Sequence, residues 1–312
     1  MASRLKTIQG ETNPILTKLA VGYKDEEFIA RKVAPLVSSL TESGTLFTFG
    51  KEGFYIYDTE RALRANAKKI DFAISKATYR CEEHALESSL DYKEIEAAKR
   101  YGAAEVLRLE KRAVQLTQKA LERELEKAVA DIVLSDSYYA SGNKTTLTGS
   151  DKWSDASSDP VGQIITGIKA ARADMGVEPN SMVLGYDAYW ELANHAQIKA
   201  MVSDSKDKAI VLNAGDLASL LRLENVFVGK AVYSTDAGVF TNIWTDSAAL
   251  IYIPRDMEMS EGTTPHTVLI EEKGYPEVKT YAEKKVKSYE TTLKYNVKNI
   301  STSYGYLIVD CN

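Results

Sequence analysis

Leu107, Val114, Leu121 and Ala128 recur every seven residues in a run, 103–134, that contains neither proline nor glycine. Leu125 and Ile132 lie beside them and complete one apolar stripe. Charges of both signs fall on the other faces: Glu110, Lys111, Arg112, Glu122, Arg123, Glu124, Glu126 and Lys127. The spacing predicts a single helix over 103–134. At 1.5 Å per residue that helix is roughly 48 Å long, the span of a small domain. Such a helix beside an extended arm suits a scaffold that reaches its neighbours better than an enzyme folded around a pocket.

The chain before the helix has the other periodicity. Ile70, Phe72 and Ile74 alternate with Asp71, Ala73 and Ser75, and the pattern runs on through Tyr79, the signature of a half-buried strand. Residues 45–49 and 54–57 also read as strand. Between these stretches lies a charged tip with Asp58, Glu60, Arg61, Arg64, Lys68 and Lys69. A two-stranded ribbon is marginal in water on its own, and the neighbouring sequence offers little to cover it. Two readings follow: a hairpin packed on its own domain, or an arm laid across another subunit. In the second, Phe54, Tyr55, Ile56, Ile70, Phe72 and Ile74 are the contact residues.

Elsewhere the first forty residues read as an irregular arm with a short helix near 26–32, closed by Pro35. Residues 135–152 read as an exposed polar loop. Asp159 and Pro160 open a helix as N-cap and first residue. Ile164, Ile165, Ile168 and Ala171 form its buried face and Gly176 stops it. A strand at 182–184, helices near 187–193 and 216–223, and strands at 226–228 and 248–253 make an α/β unit. Strands then dominate, at 267–271, 277–281, 289–297 and 304–309. The fold class is α+β. Because the late strands need a partner sheet, the α/β unit reads as an insertion in a discontinuous domain.

Composition narrows the function. At 312 residues, 44% hydrophobic and 27% charged, the chain can bury one or two cores as an ordinary globular protein. No apolar run is long enough to span a bilayer, and the start lacks the apolar core of a signal peptide. Cys81 and Cys311 stand in no metal-type spacing, which points to a reducing cytosol rather than a disulfide framework. A net charge of −5 argues against a protein whose task is to grip nucleic acid. The first seventy residues, with eleven Lys/Arg against eight Asp/Glu, suit a surface that faces a polyanion without binding it tightly.

Chemistry is absent from the motifs. His84, His195 and His266 are scattered, and no G-x-S-x-G, H-E-x-x-H or phosphate-loop pattern occurs. Asp155 and Asp159 flank Trp153 as paired carboxylates, for which loop solvation and helix capping are the simpler reading. No cofactor and no metal are expected. Tyrosine is abundant at 18 residues, and amphipathic rings of this kind suit half-buried surfaces and subunit contacts.

The order of elements resembles the major capsid protein family of tailed bacteriophages, with the Hong Kong 97-type shell fold. The residues that carry the resemblance are Val21-Gly-Tyr-Lys-Asp-Glu-Glu-Phe-Ile-Ala-Arg-Lys-Val-Ala-Pro35, Trp153-Ser-Asp155 and Ser158-Asp-Pro160. Gly167 and Ile168, Glu178-Pro-Asn180, Val183-Leu-Gly185, His195 with Ile198, and Val226-Phe-Val-Gly-Lys-Ala-Val232 continue it. Encapsulin-type compartments share the fold.

The resemblance implies an N-terminal arm (1–40) and an extended hairpin loop (41–86). A peripheral domain with the spine helix (87–180), an axial domain (181–254) and a β-return to the peripheral domain (255–312) follow. It implies a non-enzymatic protein that self-assembles through pentamers and hexamers into an icosahedral shell around double-stranded DNA, without sequence-specific binding. Portal, scaffolding and decoration proteins are the implied partners. No long charged helix at the N-terminus offers a fused scaffold, so a separate scaffolding protein is expected. No membrane is implied. The shell is that of a virion, assembled in the host cytoplasm. Arg4, Lys6, Lys18 and Lys24 are expected on the inner surface, and Asp204, Lys206, Asp207 and Lys208 near the pore at the symmetry axes. The alternatives are an encapsulin-type nanocompartment, a head-completion or tail component, and a soluble enzyme.

Overall fold

The computed structural model describes residues 10–23, 25–49, 54–61, 63–64, 66–70, 74–202, 212–235, 238–254, 267–283, 285–300 and 305–312. The first segment contains β1 (Glu11–Thr12), α1 (Pro14–Val21), α2 (Ala30–Val33) and β2 (Leu36–Ser39). A ribbon, β3 (Ser43–Phe49) and β4 (Ile74–Arg80), leads into β5 (Glu82–Asp91), α3 (Tyr92–Lys99) and the long helix α4 (Ala103–Val133). Strand β6 (Lys144–Thr146) precedes α5 (Pro160–Met175), β7 (Ser181–Gly185), α6 (Tyr186–Asn194), α7 (Ala196–Val202) and α8 (Ala214–Leu221). Strands β8 (Asn225–Gly229), β9 (Val232–Ser234), β10 (Phe240–Asn242) and β11 (Ser247–Ile251) follow. The last are β12 (Thr267–Glu272), β13 (Glu277–Ala282), β14 (Val286–Asn299) and β15 (Gly305–Val309).

Two sheets organise these elements. In the first, the 14-residue β14 pairs along one edge with β5 and along the other with β13 and then β12. Strands β1 and β2 extend it. The second has the order β6-β15-β11-β7-β8. Its central strands β15, β11 and β7 are buried on both faces, as strands covered on both sides must be. Met182, Leu184, Leu250 and Ile308 face a core shared with α5–α8, and Val183, Ala249, Ile251 and Leu307 face a core shared with α4. The return strands therefore divide: β12–β14 join the sheet beside α4, whereas β15 lies inside the α/β sheet, between β11 and β6.

Several local expectations change. The buried face of α4 includes Val114, Leu121 and Leu125, but also Thr117, Gln118, Glu122 and Glu126. A strict seven-residue repeat drifts about 20° per heptad around a straight helix, so the stripe slides away from the core face at its ends. Leu107 is exposed in consequence, and the two glutamates expected outside are inside. The stretch 135–152 is not an exposed loop: Tyr139, Asn143 and Leu147 are buried and β6 pairs in parallel with β15. Residues 54–57 are not strand, and the ribbon pairing among the described residues runs to Phe49↔Ile74. The short helix near 26–32 narrows to α2.

Glu126 joins the parts. It is fully buried, and its carboxylate accepts from Ile29 N at 2.9 Å, Ala30 N at 2.7 Å and Trp244 Nε1 at 2.6 Å. Ile29 caps α2 without a side-chain acceptor of its own, so Glu126 serves the helix end from 97 positions away. Trp244 reaches it because the paired Gly185 and Gly229 let the chain cross: a Cβ on Gly185 would lie 1.8 Å from Thr245 O, and one on Gly229 2.1 Å from the Trp244 ring. Burial raises the Glu126 pKa above the ordinary carboxylate value, against the pull of its N–H donors.

Replacing Glu126 with Ala strands three buried donors at about 1–3 kcal/mol each, so the unfolding free energy should fall by roughly 3 kcal/mol or more. Glu126→Gln keeps an acceptor oxygen and should lose less. Urea unfolding of the unassembled subunit, read by Trp fluorescence, checks the order. A Glu126→Ala chain as stable as the parent refutes the role of the carboxylate.

Candidate assembly interface

The ribbon is firmly rooted and bare beyond its root. At its base Leu46, Tyr79 and Cys81 pack with Val37, Val268 and Ile270. Tyr79 Oη and Ser39 Oγ are hydrogen-bonded at 2.8 Å, and Arg80 pairs with Glu42 at 3.0 Å. Beyond Leu46 this cover ends. Phe54, Tyr55, Ile56, Ile70 and Ile74 are all more than half exposed, Ile56 completely so. Phe54 comes against the body of its own chain, its ring over the C-cap Gly176 of α5. Phe72 lies outside the described residues. The distal loop encloses a cleft of about 540 Å³ lined by Tyr57, Asp58, Arg61, Lys68 and Ile70. Asp58 and Lys68 form an ion pair across it, and that bond holds the Asp58 pKa below the usual range.

Of the expected inner-surface residues, Lys18 is exposed in the last turn of α1. Arg4, Lys6 and Lys24 lie outside the described residues, as do Asp204, Lys206, Asp207 and Lys208 of the expected pore loop.

Around the root runs a polar cluster that sequence reasoning missed. Arg31 donates to Glu122 through Nε at 3.1 Å and a terminal nitrogen at 2.9 Å. Its other terminal nitrogen lies 2.6 Å from Glu271 on β12. Gln118 Nε2 adds a bond to Glu122 at 3.0 Å. Nearby, Lys119 pairs with Asp25 at 2.8 Å, and Tyr23 Oη donates to Asp25 at 3.2 Å. Burial, then Asp25, pushes the Tyr23 pKa up to about 12. His84 stacks on Tyr295 at 4.2 Å and lies 3.2 Å from Glu124. The cluster ties the N-terminal segment, α4 and the first sheet together. Its one sequence signal is that Glu122 and Glu126 follow Leu121 and Leu125 at the same four-residue spacing.

The paired carboxylates near Trp153 are turn and cap groups. Asp155 accepts from Ser157 N and Oγ, at 2.8 Å and 2.6 Å. Asp159 caps α5 through Gly162 N at 2.9 Å and accepts from Gln197 Nε2 at 2.6 Å. Those bonds lower both pKa values, which suits ionised caps and not general acids. Ser158 Oγ lies 3.2 Å from His195 Nε2, the separation of a nucleophile and its base. However, His195 Nδ1 accepts from Gln197 N at 3.2 Å, so the neutral ring carries its proton on Nε2, beside the Asp155 carbonyl. That ring cannot take the serine proton. Burial pushes the Cys81 thiol up to about 11 and Cys311 further, and neither is a poised nucleophile. Among the described residues no cluster of His, Cys, Asp and Glu is arranged to hold a metal, and no helix is long and apolar enough to cross a membrane.

Residues 103–290 match the family model described as phage major capsid protein E. The chain is 34% identical, over 305 residues covering 96% of both chains, to a major capsid protein of Burkholderia phage BcepMu. Its structure is similar to that of a phage-related protein from Bordetella bronchiseptica RB50, with a TM-score of 0.76, 26% identity and coverage of 97% and 98%. The fold alone is shared with a putative prophage capsid protein from E. coli CFT073, at a TM-score of 0.55 and 11% identity over 96% and 99% of the two chains.

The Arg31 cluster makes a pH prediction. Burial outweighs the attraction of Arg31 and raises the Glu271 pKa above its ordinary 4.5. The folded chain then holds a proton that the unfolded chain has released. The resulting stability is complete below about 4.5 and is lost as pH rises through the folded value. Glu271→Gln removes that slope while leaving Glu126, whose pKa shifts the same way, in both proteins. The difference in unfolding free energy, parent minus variant, should be larger at pH 5 than at pH 7.5. A difference that grows with pH would place the Glu271 pKa below the ordinary value.

Proposed function

The chain belongs to the phage major capsid protein family and is a shell-forming structural protein, and from that premise we propose how it assembles. Copies associate as pentamers and hexamers into an icosahedral shell around double-stranded DNA, whose screened phosphates require no strongly basic wall. A separate scaffolding protein guides assembly in the host cytoplasm, a portal occupies one vertex, and decoration proteins dock outside. The encapsulin-type alternative is not favoured, since the relative covering 96% of the chain is a phage major capsid protein.

In this reading 1–40 is the arm, 41–86 the extended hairpin loop, 87–180 the peripheral domain and 181–254 the axial domain, with 255–312 returning to complete the body. Arg4, Lys6, Lys18 and Lys24 face the interior, and Asp204, Lys206, Asp207 and Lys208 crowd the pore. Phe54, Tyr55, Ile56, Ile70, Phe72 and Ile74 lie on a neighbouring subunit.

The observation that carries the reading is the ribbon: rooted in the core at Leu46 and Tyr79, yet exposing Tyr55, Ile56, Ile70 and Ile74 beyond it. Each large apolar side chain that finds full cover contributes roughly 1.5–3 kcal/mol, less the entropy of ordering the arm. Repeated at every position of a closed shell, a small net gain becomes decisive.

Replacing residues 52–74 with a short Gly/Ser linker should leave a folded, soluble subunit that forms no stable closed shells. Circular dichroism and sedimentation velocity read the two properties separately. Misfolding of the variant would show that the hairpin covers its own domain. Normal shells would remove the inter-subunit role.

A further inference from the structure

The α/β unit carries two unmatched surfaces. At the C-terminal ends of the strands, Tyr186 and Trp190 stand one turn apart on α6, with ring centroids 6.2 Å apart in an edge-to-face pair. Both are 38% exposed, an unusual state for two large rings on a helix that otherwise buries Tyr189 and Leu192. The β9–β10 hairpin stands beside them, tied to α6 by Asn242 Nδ2, which donates to Asp187 at 3.1 Å. Phe240 lies two residues from Asn242 on the same strand face and is 75% exposed. The result is an aromatic knob of the composition that dominates protein interfaces, flanked by Asp187 and Glu191.

A groove of about 530 Å³ lies between α5, α7 and α8. The groove is apolar along Val161, Ile165, Ile168, Met201 and Leu220, with Ile165 and Met201 nearly half exposed. Its rim carries Lys169, Arg172 and Arg222 against the single carboxylate of Glu178. Knob and groove thus match in polarity and oppose in charge. The knob rings are exposed and none of them lines the groove of its own copy, so the pair stays open within one subunit. A surface of this kind joins copies head to tail, and such contacts make rings when the rotation closes.

We propose that the knob of Tyr186, Trp190 and Phe240 seats in the α5–α8 groove of the next copy, with Asp187 and Glu191 against Lys169, Arg172 and Arg222. This rests on the shell-forming reading and adds to it the contact that links neighbouring α/β units. The ribbon contributes its own contact elsewhere on the subunit.

Chains carrying Glu191→Cys and Lys169→Cys are mixed under assembly conditions and treated with a short bismaleimide. Both changes leave the aromatic rings and the groove floor in place, and Cys81 and Cys311 are buried. The mixture should give linked dimers about tenfold above a mixture of Glu191→Cys with Leu116→Cys, an exposed site on α4. Trp190→Glu, with unchanged circular dichroism, should lower the sedimenting fraction about tenfold or more, as loss of an interface anchor does. No linkage above the control, or assembly of Trp190→Glu like the parent, overturns the pairing. In that case shells from the unmodified chain leave the family reading intact. If the unmodified chain makes no shells, the shell reading fails, and linked dimers in the mixture still decide whether knob and groove meet.

Discussion

A carboxylate sealed from water must find its hydrogen-bond donors in the protein, and Glu126 draws them from two distant segments. Left unpaired, such a group carries a cost comparable to a large share of a domain's net stability. The cost is avoided only when the start of α2, the middle of α4 and the Trp244 ring arrive together. That condition seats α4 in the core that draws on both sheets, where Leu121 and Leu125 join Val183 and Leu307 of one and Leu269 and Leu293 of the other. One turn earlier, Glu122 receives Arg31, and Arg31 reaches Glu271 in the other sheet. Arm, helix and both sheets therefore behave as one body, and the ribbon projects from a rigid base.

What could be read from the chain alone is what short-range physics writes. Asp159, Pro160 and Gly176 bound α5 because capping acts within a turn, and the alternation after Ile74 marks β4 for the same reason. The polar face of α4 was hidden, because Glu122 and Glu126 look like surface charges until partners 91 and 118 positions away reach them. Strand β5 was missed because both of its faces are largely exposed, and its Glu82, Glu83 and Glu87 break any apolar alternation. Those same charges suit an edge strand that must not pair with another chain. For the interface, the apolar residues of the ribbon were legible as a group in want of cover. The knob and groove were not, since α6 and the β9–β10 hairpin meet only in the folded chain.

The surface chemistry agrees with a protein whose work is geometric. Its carboxylates cap helices, its cysteines are buried, and the serine beside His195 faces the protonated nitrogen of the ring. Potentially reactive groups are engaged in holding turns. The exposed apolar groups instead concentrate on projecting or concave features, where a repeated neighbour can reach them.

The position of β15 bears on when the subunit becomes competent. Strand β11 pairs with β7 on one edge and β15 on the other, and β6 has β15 as its partner. Trp153 N donates to Cys311 O at 2.7 Å, so the buried Trp153 is also placed by the segment that follows β15. A chain that stops short of Gly305 leaves an open edge in the middle of the α/β sheet and β6 with nothing to join. During synthesis this unit cannot close until β15 has left the ribosome. A product truncated before β15 therefore carries an incomplete sheet, and the strand that closes the unit also marks which chains are fit for the shell.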